Sequence, residues 1–554
     1  MLKQKRLILD NPVTILSIIG AIYLLPSLLL YFVSEDLKFA LLVEGFTFYE
    51  SLKNIWLPSA SFLNEGGLFR PIVSTINLVD YSLWGVNAFG YHLTNALVHL
   101  INIQLVYHLS LRLFKRVDIS FLCSIIFLFH PILAHSVYWI SGRTDMVSCS
   151  FYLLSLIMTD KYLKDLDIRY FIFSQISFFA ALLSKEISIT LPLAQVWMIW
   201  HYKHDSDQDT SLRPVLARFV AYSALVVSLF LSYRLFIFGQ SPLTIDDVYN
   251  IGGFYHLFIN AIKIASFMIV PFGHQSFEML VYDYKLYLII VLIPVSIRII
   301  YMIYNHRKDL FKEIMLCALL FISVLPLFKL AMRWYMYIPA VFFSILVARV
   351  IYSKWGTGNV PRVIISIYLT ANILGGLLQY RIWLKNSQIN RDLVNQLVDK
   401  IEGETTVDTF VILNFPAKIN RTATFVAGFE DLITLKISNR NKRVLRPVNI
   451  VHQLDMFPTD INLDGSSIII NACEASSYCL LGTSEQRFGL EKLGPGDIIK
   501  TDVSNIRIEK VNSSGQAVRV SVFMHENFEK ENTLYLYFDE REREYKKFNS
   551  LTNK

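Results

Sequence analysis

The residues best suited to chemistry begin with two adjacent carboxylates, Glu35 and Asp36, set directly after a long apolar run. A carboxylate where a chain leaves a bilayer can take a proton from a hydroxyl or bind a cation. The same pair is also what a polar stop after a membrane span looks like. Cations follow in separate motifs: Arg70 in Leu68-Phe69-Arg70-Pro71, Arg143 in Trp139-Ile140-Ser141-Gly142-Arg143-Thr144-Asp145, Lys185 in Ser184-Lys185-Glu186, and Arg333 in Arg333-Trp334-Tyr335-Met336-Tyr337-Ile338-Pro339. Arginine offers paired donors to a phosphate, although each motif alone also reads as an interfacial anchor. His92, Asn95, His99 and Asn102 recur at helical spacing and share one face. Inside a membrane that face must point into the bundle, as a structural network or as a substrate contact. His130-Pro131 and, further on, His135 complete the set.

The elements that must hold these residues are membrane spans. Apolar runs occur at Val13–Val33, His92–Phe114, Ile119–Ile140, Met146–Asp160, Tyr170–Leu183 and Ile187–Trp200. More follow at Leu216–Phe238, Tyr284–Met302, Ile314–Leu327, Tyr335–Tyr352 and Val363–Trp383, which makes about eleven crossings. The first run is too long for a signal-peptide core and is expected to be a retained helix. Tyr255–Val270 is shorter and ends at Pro271, so it reads as interfacial or re-entrant. Lys3, Lys5 and Arg6 place the N-terminus in the cytoplasm, and alternate loops carry the further basic clusters. This puts the C-terminus outside; a full crossing by Tyr255–Val270 would put it inside. Arg70, Arg143, Lys185 and Arg333 then fall on the outer side, which the charge rule keeps poor in cations. Their presence there suggests a phosphate-bearing partner. In the outer loop from Ser34 to Tyr91, Phe39–Lys53 is expected to form a surface helix.

Composition agrees with this plan. The chain of 554 residues is 54% hydrophobic and only 18% charged, which excludes disorder and a disulfide scaffold. The net charge of +7 sits largely in cytoplasmic loops, so it sets topology and calls for no nucleic acid. Near Lys385 the composition turns polar, and residues 386–554 are expected to form a soluble, mainly β domain. Its strand-like runs are Thr409–Asn414, Ser467–Asn471, Ile506–Val511, Ala517–Met524 and Thr533–Phe538, and Asp539–Lys547 is expected as a solvated helix or tail. Cys473 and Cys479 could pair in an oxidising compartment. Asn420-Arg421-Thr422 and Asn512-Ser513-Ser514 are sequons. No ligand cluster demands a metal, although a divalent cation at the carboxylate pair is compatible with the residues.

The order of these motifs over about residues 10 to 385 resembles the C-type (GT-C) membrane glycosyltransferases, which use polyprenol-phosphate sugars and include the protein O-mannosyltransferases. It resembles most the branch of the transmembrane-and-tetratricopeptide O-mannosyltransferases and their bacterial relatives. The residues that carry the likeness are Ser34-Glu35-Asp36, Phe69-Arg70-Pro71, His92-Leu93-Thr94-Asn95, His130-Pro131, the run from Trp139 to Asp145, Ser184-Lys185-Glu186 and the run from Arg333 to Pro339. Ile412 to Pro416 and Phe425 to Phe429 resemble the extracytoplasmic domain of bacterial relatives more faintly.

The resemblance implies a sugar transferred on the outer face from a polyprenol-phosphate donor to a hydroxyl of a protein or glycan, with inversion. It implies a base at Glu35 or Asp36, and donor phosphate held by Arg143, Lys185, Arg333 and Arg70. His92, Asn95, His130, His135, Asp145, Glu186 and Tyr337 are the substrate-site candidates. The family usually carries Asp where Glu35 stands, and relatives often carry Glu where His135 stands. The second departure keeps an inactive scaffold open, beside a lipid-linked-sugar flippase. The tetratricopeptide repeats of the eukaryotic branch are not evident, and the expected location is a prokaryotic inner membrane.

Overall fold

A computed structural model describes residues 11–33, 36, 43, 46–58, 69–205, 213–238, 254–269, 310–355 and 359–404, and beyond these the strands, the helix 432–437 and residues 494–497 and 542 of the C-terminal part. Glu35, Cys473, Cys479, Asn420, Asn512 and the run Tyr284–Met302 lie outside the described residues. Contacts divide the chain into two compact units. One comprises Met1–Leu29, Phe46–Ser82 and Phe89–Arg381; the other comprises Leu30–Gly45, Leu83–Ala88 and Ile382–Lys554.

In the first unit, α1 (Pro12–Leu24) opens on Asn11, whose side chain accepts the Val13 amide at 3.0 Å. It runs on through a 3-10 turn, Leu25–Leu29. α2 (Phe48–Trp56) starts with a capping box in which Thr47 and Glu50 satisfy each other's amides. It overlaps the helix expected at Phe39–Lys53 in the loop Ser34–Tyr91, displaced towards the C-terminus. α3 (Pro71–Trp84) is a further helix in that loop which the apolar pattern did not announce. α4 (Ala88–Phe114) and α5 (Val117–Phe129) follow. Pro131 breaks α5, and the chain bends by 49° into the short helix α6 (Ala134–Val137). α7 (Arg143–Asp165), α8 (Ile168–Ser184), α9 (Leu191–Asp205), α10 (Arg213–Phe238) and α11 (Phe254–Ile269) come next. α12 (Leu310–Val324), α13 (Tyr337–Trp355) and the long α14 (Asn359–Glu402) complete the helices of the series.

Small and polar residues join these helices. A Cβ on Gly20 of α1 would meet the Leu100 side chain of α4 at 2.6 Å, so glycine permits the close approach. Gln104 of α4 donates to Ser17 Oγ at 3.0 Å and to the Val13 carbonyl at 3.2 Å. Between α7, α8, α9 and α10, Gln195 donates to Ser155 Oγ and Ser174 Oγ, and Ser223 donates to Gln195 Oε1 at 3.1 Å. Such internal pairing is how buried hydroxyls and amides link helices that lipid surrounds.

Among the described residues, four helices are long and apolar enough to cross a membrane: Pro12–Leu29, Ala88–Phe114, Arg213–Ile237 and Arg333–Ile351. The bent pair Val117–Phe129 and Pro131–Val137 adds a fifth if it forms one span. Ile168–Ser184 and Leu257–Ile269 are apolar but shorter. Apolar side chains such as Leu225, Leu229, Leu235 and Phe236 stay exposed along α10, as a lipid-facing surface requires.

The second unit holds the strands. β1 (Thr409–Pro416) lies parallel to both β4 (Arg446–Gln453) and β11 (Thr533–Asp539). β7 (Leu480–Leu481) and β12 (Glu544–Lys547) close this mixed sheet in the order β12-β11-β1-β4-β7. A parallel neighbour needs a crossover, and the buried helix 432–437 lies between β1 and β4 in the chain. β5 (Thr459–Asp464), β6 (Ser467–Ala472), β8 (Ile498–Lys500), β9 (Ser504–Val511) and β10 (Ala517–Met524) form an antiparallel sheet in the order β5-β6-β10-β9-β8. β2 (Lys418–Ile419) and β3 (Thr422–Ala423) pair alone. The expected solvated tail at Asp539–Lys547 is corrected: β12 pairs with β11, Tyr545 is fully buried against Phe538, and Lys546 meets Asp539 and Glu542. One buried aromatic outweighs the charge of its neighbours.

Candidate functional site

Arg143 starts α7 and is only 1% exposed. Its guanidinium donates to Asn95 Oδ1 at 2.9 Å, Asn77 Oδ1 at 2.8 Å, Asp80 Oδ2 at 2.5 Å and the Tyr91 carbonyl at 2.9 Å. The Tyr91 ring lies 5.9 Å below it. These bonds occupy the fork that was expected to hold donor phosphate. Arg143 thereby ties α3, α4 and α7 together. Asn95 is consumed in the same way, since its amide also donates to the Val137 and Trp139 carbonyls at 3.2 Å. Gly142 precedes Arg143 because a Cβ there would stand 2.8 Å from the His135 carbonyl.

Beside this knot lies an ionic cluster drawn from the remaining motifs. Glu186 is shared by two arginines: Arg70 reaches Oε2 at 3.1 Å and Arg234 reaches Oε1 at 3.0 Å. The Glu186 side chain is about a third exposed, at 32%. Burial works against its charge, but the guanidiniums of Arg70 and Arg234 hold its carboxyl below the usual carboxylate range. Lys185 is almost fully buried and makes an ion pair with Asp145. Its ammonium also lies 4.3 Å from the centre of the Tyr335 ring. Burial pushes the Lys185 amine down to about 8, opposed by the Asp145 carboxylate.

The turn Arg333–Met336 delivers Tyr335 to this place and carries Arg333 beside it. Its Trp334 ring packs edge-on against Trp139 at 5.4 Å, and the Trp334 carbonyl accepts from Ser136 at 3.2 Å. The Phe-Arg-Pro, Trp-to-Asp, Ser-Lys-Glu and Arg-Trp-Tyr motifs therefore meet at one end of the helices. Phe69 and Tyr233 make the same connection between Arg70 and Arg234, with rings 5.0 Å apart.

Other candidates fall inside the bundle. His99 Nδ1 meets the Tyr337 hydroxyl at 2.5 Å, and Asn102 donates to that hydroxyl at 3.2 Å. His92, Asn95, His99, Asn102 and Tyr337 are all buried, and Asn95, His99, Asn102 and Tyr337 make hydrogen bonds between helices. His130 caps the 3-10 turn Pro131–Leu133: Nδ1 accepts the Ile132 amide at 3.3 Å and Nε2 donates to the Met268 carbonyl at 3.0 Å. That pair of bonds fixes the neutral tautomer and secures α11 to the bend. His135, on α6, is half-buried.

Asp36 belongs to the second unit and is buried at 6%. Its Oδ2 accepts the Val33 amide at 2.9 Å, and its own amide donates to the Val33 carbonyl at 3.2 Å. A tight turn thus orients one carboxylate of the expected base pair. Among the described residues, no group of His, Cys, Asp or Glu stands together as a metal site.

Asp80, Asn77 and Arg234 were not expected. Asp80 is the only charged residue of α3, and Arg234 is a cation near the C-terminal end of α10. Either signal marks a buried partner inside a membrane protein.

Residues 71–233 match the family model described as dolichyl-phosphate-mannose-protein mannosyltransferase. A protein O-mannosyl-transferase of Caenorhabditis elegans is 28% identical over 146 residues, which is 26% of this chain and 20% of that protein. Protein O-mannosyl-transferase TMTC2 of Homo sapiens is 28% identical over 193 residues, 33% of this chain and 22% of that protein. The chain thus spans about a fifth of the length of these relatives. ArnT from Cupriavidus metallidurans, in a crystal structure bound to undecaprenyl phosphate, superposes with a TM-score of 0.40 at 12% identity, covering 78% of this chain and 89% of that one. The expected likeness to the O-mannosyltransferases is borne out in the segment that contains Asp80, Asp145, Lys185 and Glu186.

Proposed function

We propose that this chain is a membrane glycosyltransferase that moves a sugar from a polyprenol-phosphate donor to a hydroxyl of a protein or glycan on the extracytoplasmic face. The observation that carries the reading is the cluster of Arg70, Lys185 and Arg234 around Glu186 and Asp145. It lies within or beside a segment similar to the O-mannosyltransferases, and motifs far apart in the chain build it.

In the proposed reaction Glu35 or Asp36 takes the acceptor proton. The acceptor oxygen bonds to the anomeric carbon from the far side, and the bond from that carbon to the phosphate oxygen breaks with inversion. The lipid phosphate leaves with one more negative charge than it had as a diester. Cations already fixed in place stabilise that growing charge without reorganising. Arg70, Arg234, Lys185 and Arg333 take this task, and Arg143 positions the helices that carry them. Glu186 bridges the two guanidiniums until phosphate arrives. The mannose named for the relatives is the first sugar to test.

The span count enters the same proposal. Phe114 of α4, His201 of α9 and Arg349 of α13 line a common cavity, so these helix ends lie together. An even number of crossings from α10 to α13 is needed for that, which supports the count of about eleven spans in which Tyr255–Val270 does not cross; the basic start Lys3, Lys5 and Arg6 supports a cytoplasmic N-terminus. The outer domain is taken to begin near residue 386, and the membrane to be a prokaryotic inner membrane.

The direct test is purified protein with a radiolabelled polyprenol-phosphate sugar. Release of polyprenol phosphate with labelled acceptor is expected, and Glu35→Gln with Asp36→Asn should abolish it at unchanged expression. Full activity in that double variant would remove the base assignment. Movement of intact donor between leaflets without cleavage would favour a flippase.

A further inference from the structure

The end of the first unit opposite the ionic cluster holds a cavity of about 130 Å³. α4 separates the two places: Asn95 binds Arg143, whereas Leu113 and Phe114 line the cavity, roughly 28 Å further along the helix axis. Three basic side chains border it, Lys115, His201 and Arg349, and no carboxylate stands among the described lining residues. Leu113, Leu316 and Trp197 supply an apolar wall, all of it buried.

The basic groups are set in position rather than scattered. The His201 ring stacks on Trp197 with centroids 5.2 Å apart and planes within 4°. The Arg349 guanidinium lies over Phe114 at 5.9 Å. Lys115 leaves α4 in a left-handed conformation, φ 55°, and turns the chain at the cavity mouth. The volume equals that of about four waters, room enough for a phosphate group.

We infer that this cavity is a binding site for a phosphate-bearing anion, the headgroup of an anionic phospholipid in the leaflet facing it. Basic pockets between spans recognise such headgroups through charge, and an apolar wall beside the charge suits the start of an acyl chain better than it suits a free ion. In the proposed orientation this is the cytoplasmic leaflet. The site is separate from the transfer reaction and stands whether or not the chain transfers sugar.

The test uses the full chain in nanodiscs of equal phosphatidylglycerol and phosphatidylethanolamine, released into a native mass spectrometer. One retained phosphatidylglycerol per chain is expected, preferred about tenfold over the zwitterionic lipid. Lys115→Asn with Arg349→Gln should bring the preference close to parity. Asn keeps the left-handed turn, so the single variant Lys115→Asn remains a folded control and should show part of the loss. Equal retention of both lipids by the unmodified protein would overturn the inference, as would a preference that survives the double variant. A second arm adds inorganic phosphate in zwitterionic nanodiscs. No thermal shift assigns the site to the lipid headgroup; a shift present in the unmodified protein and absent in the double variant retains the phosphate site and reassigns its source to the free anion.

Discussion

Lys185 carries an ammonium into a place where water is scarce, and Asp145 and the face of Tyr335 are what it meets there. With its amine pushed down to about 8, transfer activity is expected to fall as pH rises through that value. The sign for stability is opposite. The unfolded side chain keeps its proton up to its ordinary value of 10.5, so between about 8 and 10.5 the unfolded state binds more protons and stability from this group rises with pH. Rate profiles measured beside thermal midpoints separate the two effects, and a common decline would count against the assignment. Lys185→Arg should move the alkaline limb upward, because guanidinium keeps its charge. Glu186→Gln removes the carboxylate that spaces Arg70 and Arg234; kcat/KM should fall about a hundredfold, the scale of an ångström misplacement. An unchanged rate would show that the two guanidiniums keep their places without Glu186.

The helices meet through Arg143 and Asp80, an ion pair in which both side chains are almost fully buried. Breaking one partner of such a pair costs about 3–5 kcal/mol, because the other charge is left in a poor solvent. Asp80→Asn should therefore lower the unfolding midpoint strongly, and an unaltered midpoint would remove Arg143 from its joining role. The knot was half legible in the sequence. The polar face of α4 announces itself by spacing, whereas Asp80 sits in a helix that the apolar pattern did not announce. The partner's identity does not follow, because Asp80 and Arg143 meet only after α3, α4 and α7 pack. The β12 edge shows the reverse weakness. Local charge suggested a tail, and only pairing with β11 reveals that Tyr545 has a pocket to fill.

At the scale of the whole molecule, topology can be read by labelling. In a background without native cysteines, Lys115→Cys and Lys203→Cys should react with an impermeant thiol reagent from one side of the membrane, and Glu50→Cys from the other. All three positions are exposed. Labelling of all three from the same side would contradict the proposed crossings.

The chain's membrane character, its polar C-terminal part and the residue types of its reactive motifs were set by the sequence alone, since apolar length and charge placement are local properties. Tertiary structure decided which partners each cation meets. Arg143 is saturated by Asp80, Asn77, Asn95 and Tyr91, while Arg70 and Arg234 share a partly exposed Glu186. A guanidinium looks the same in every motif, and its availability depends on acceptors that other segments bring to it.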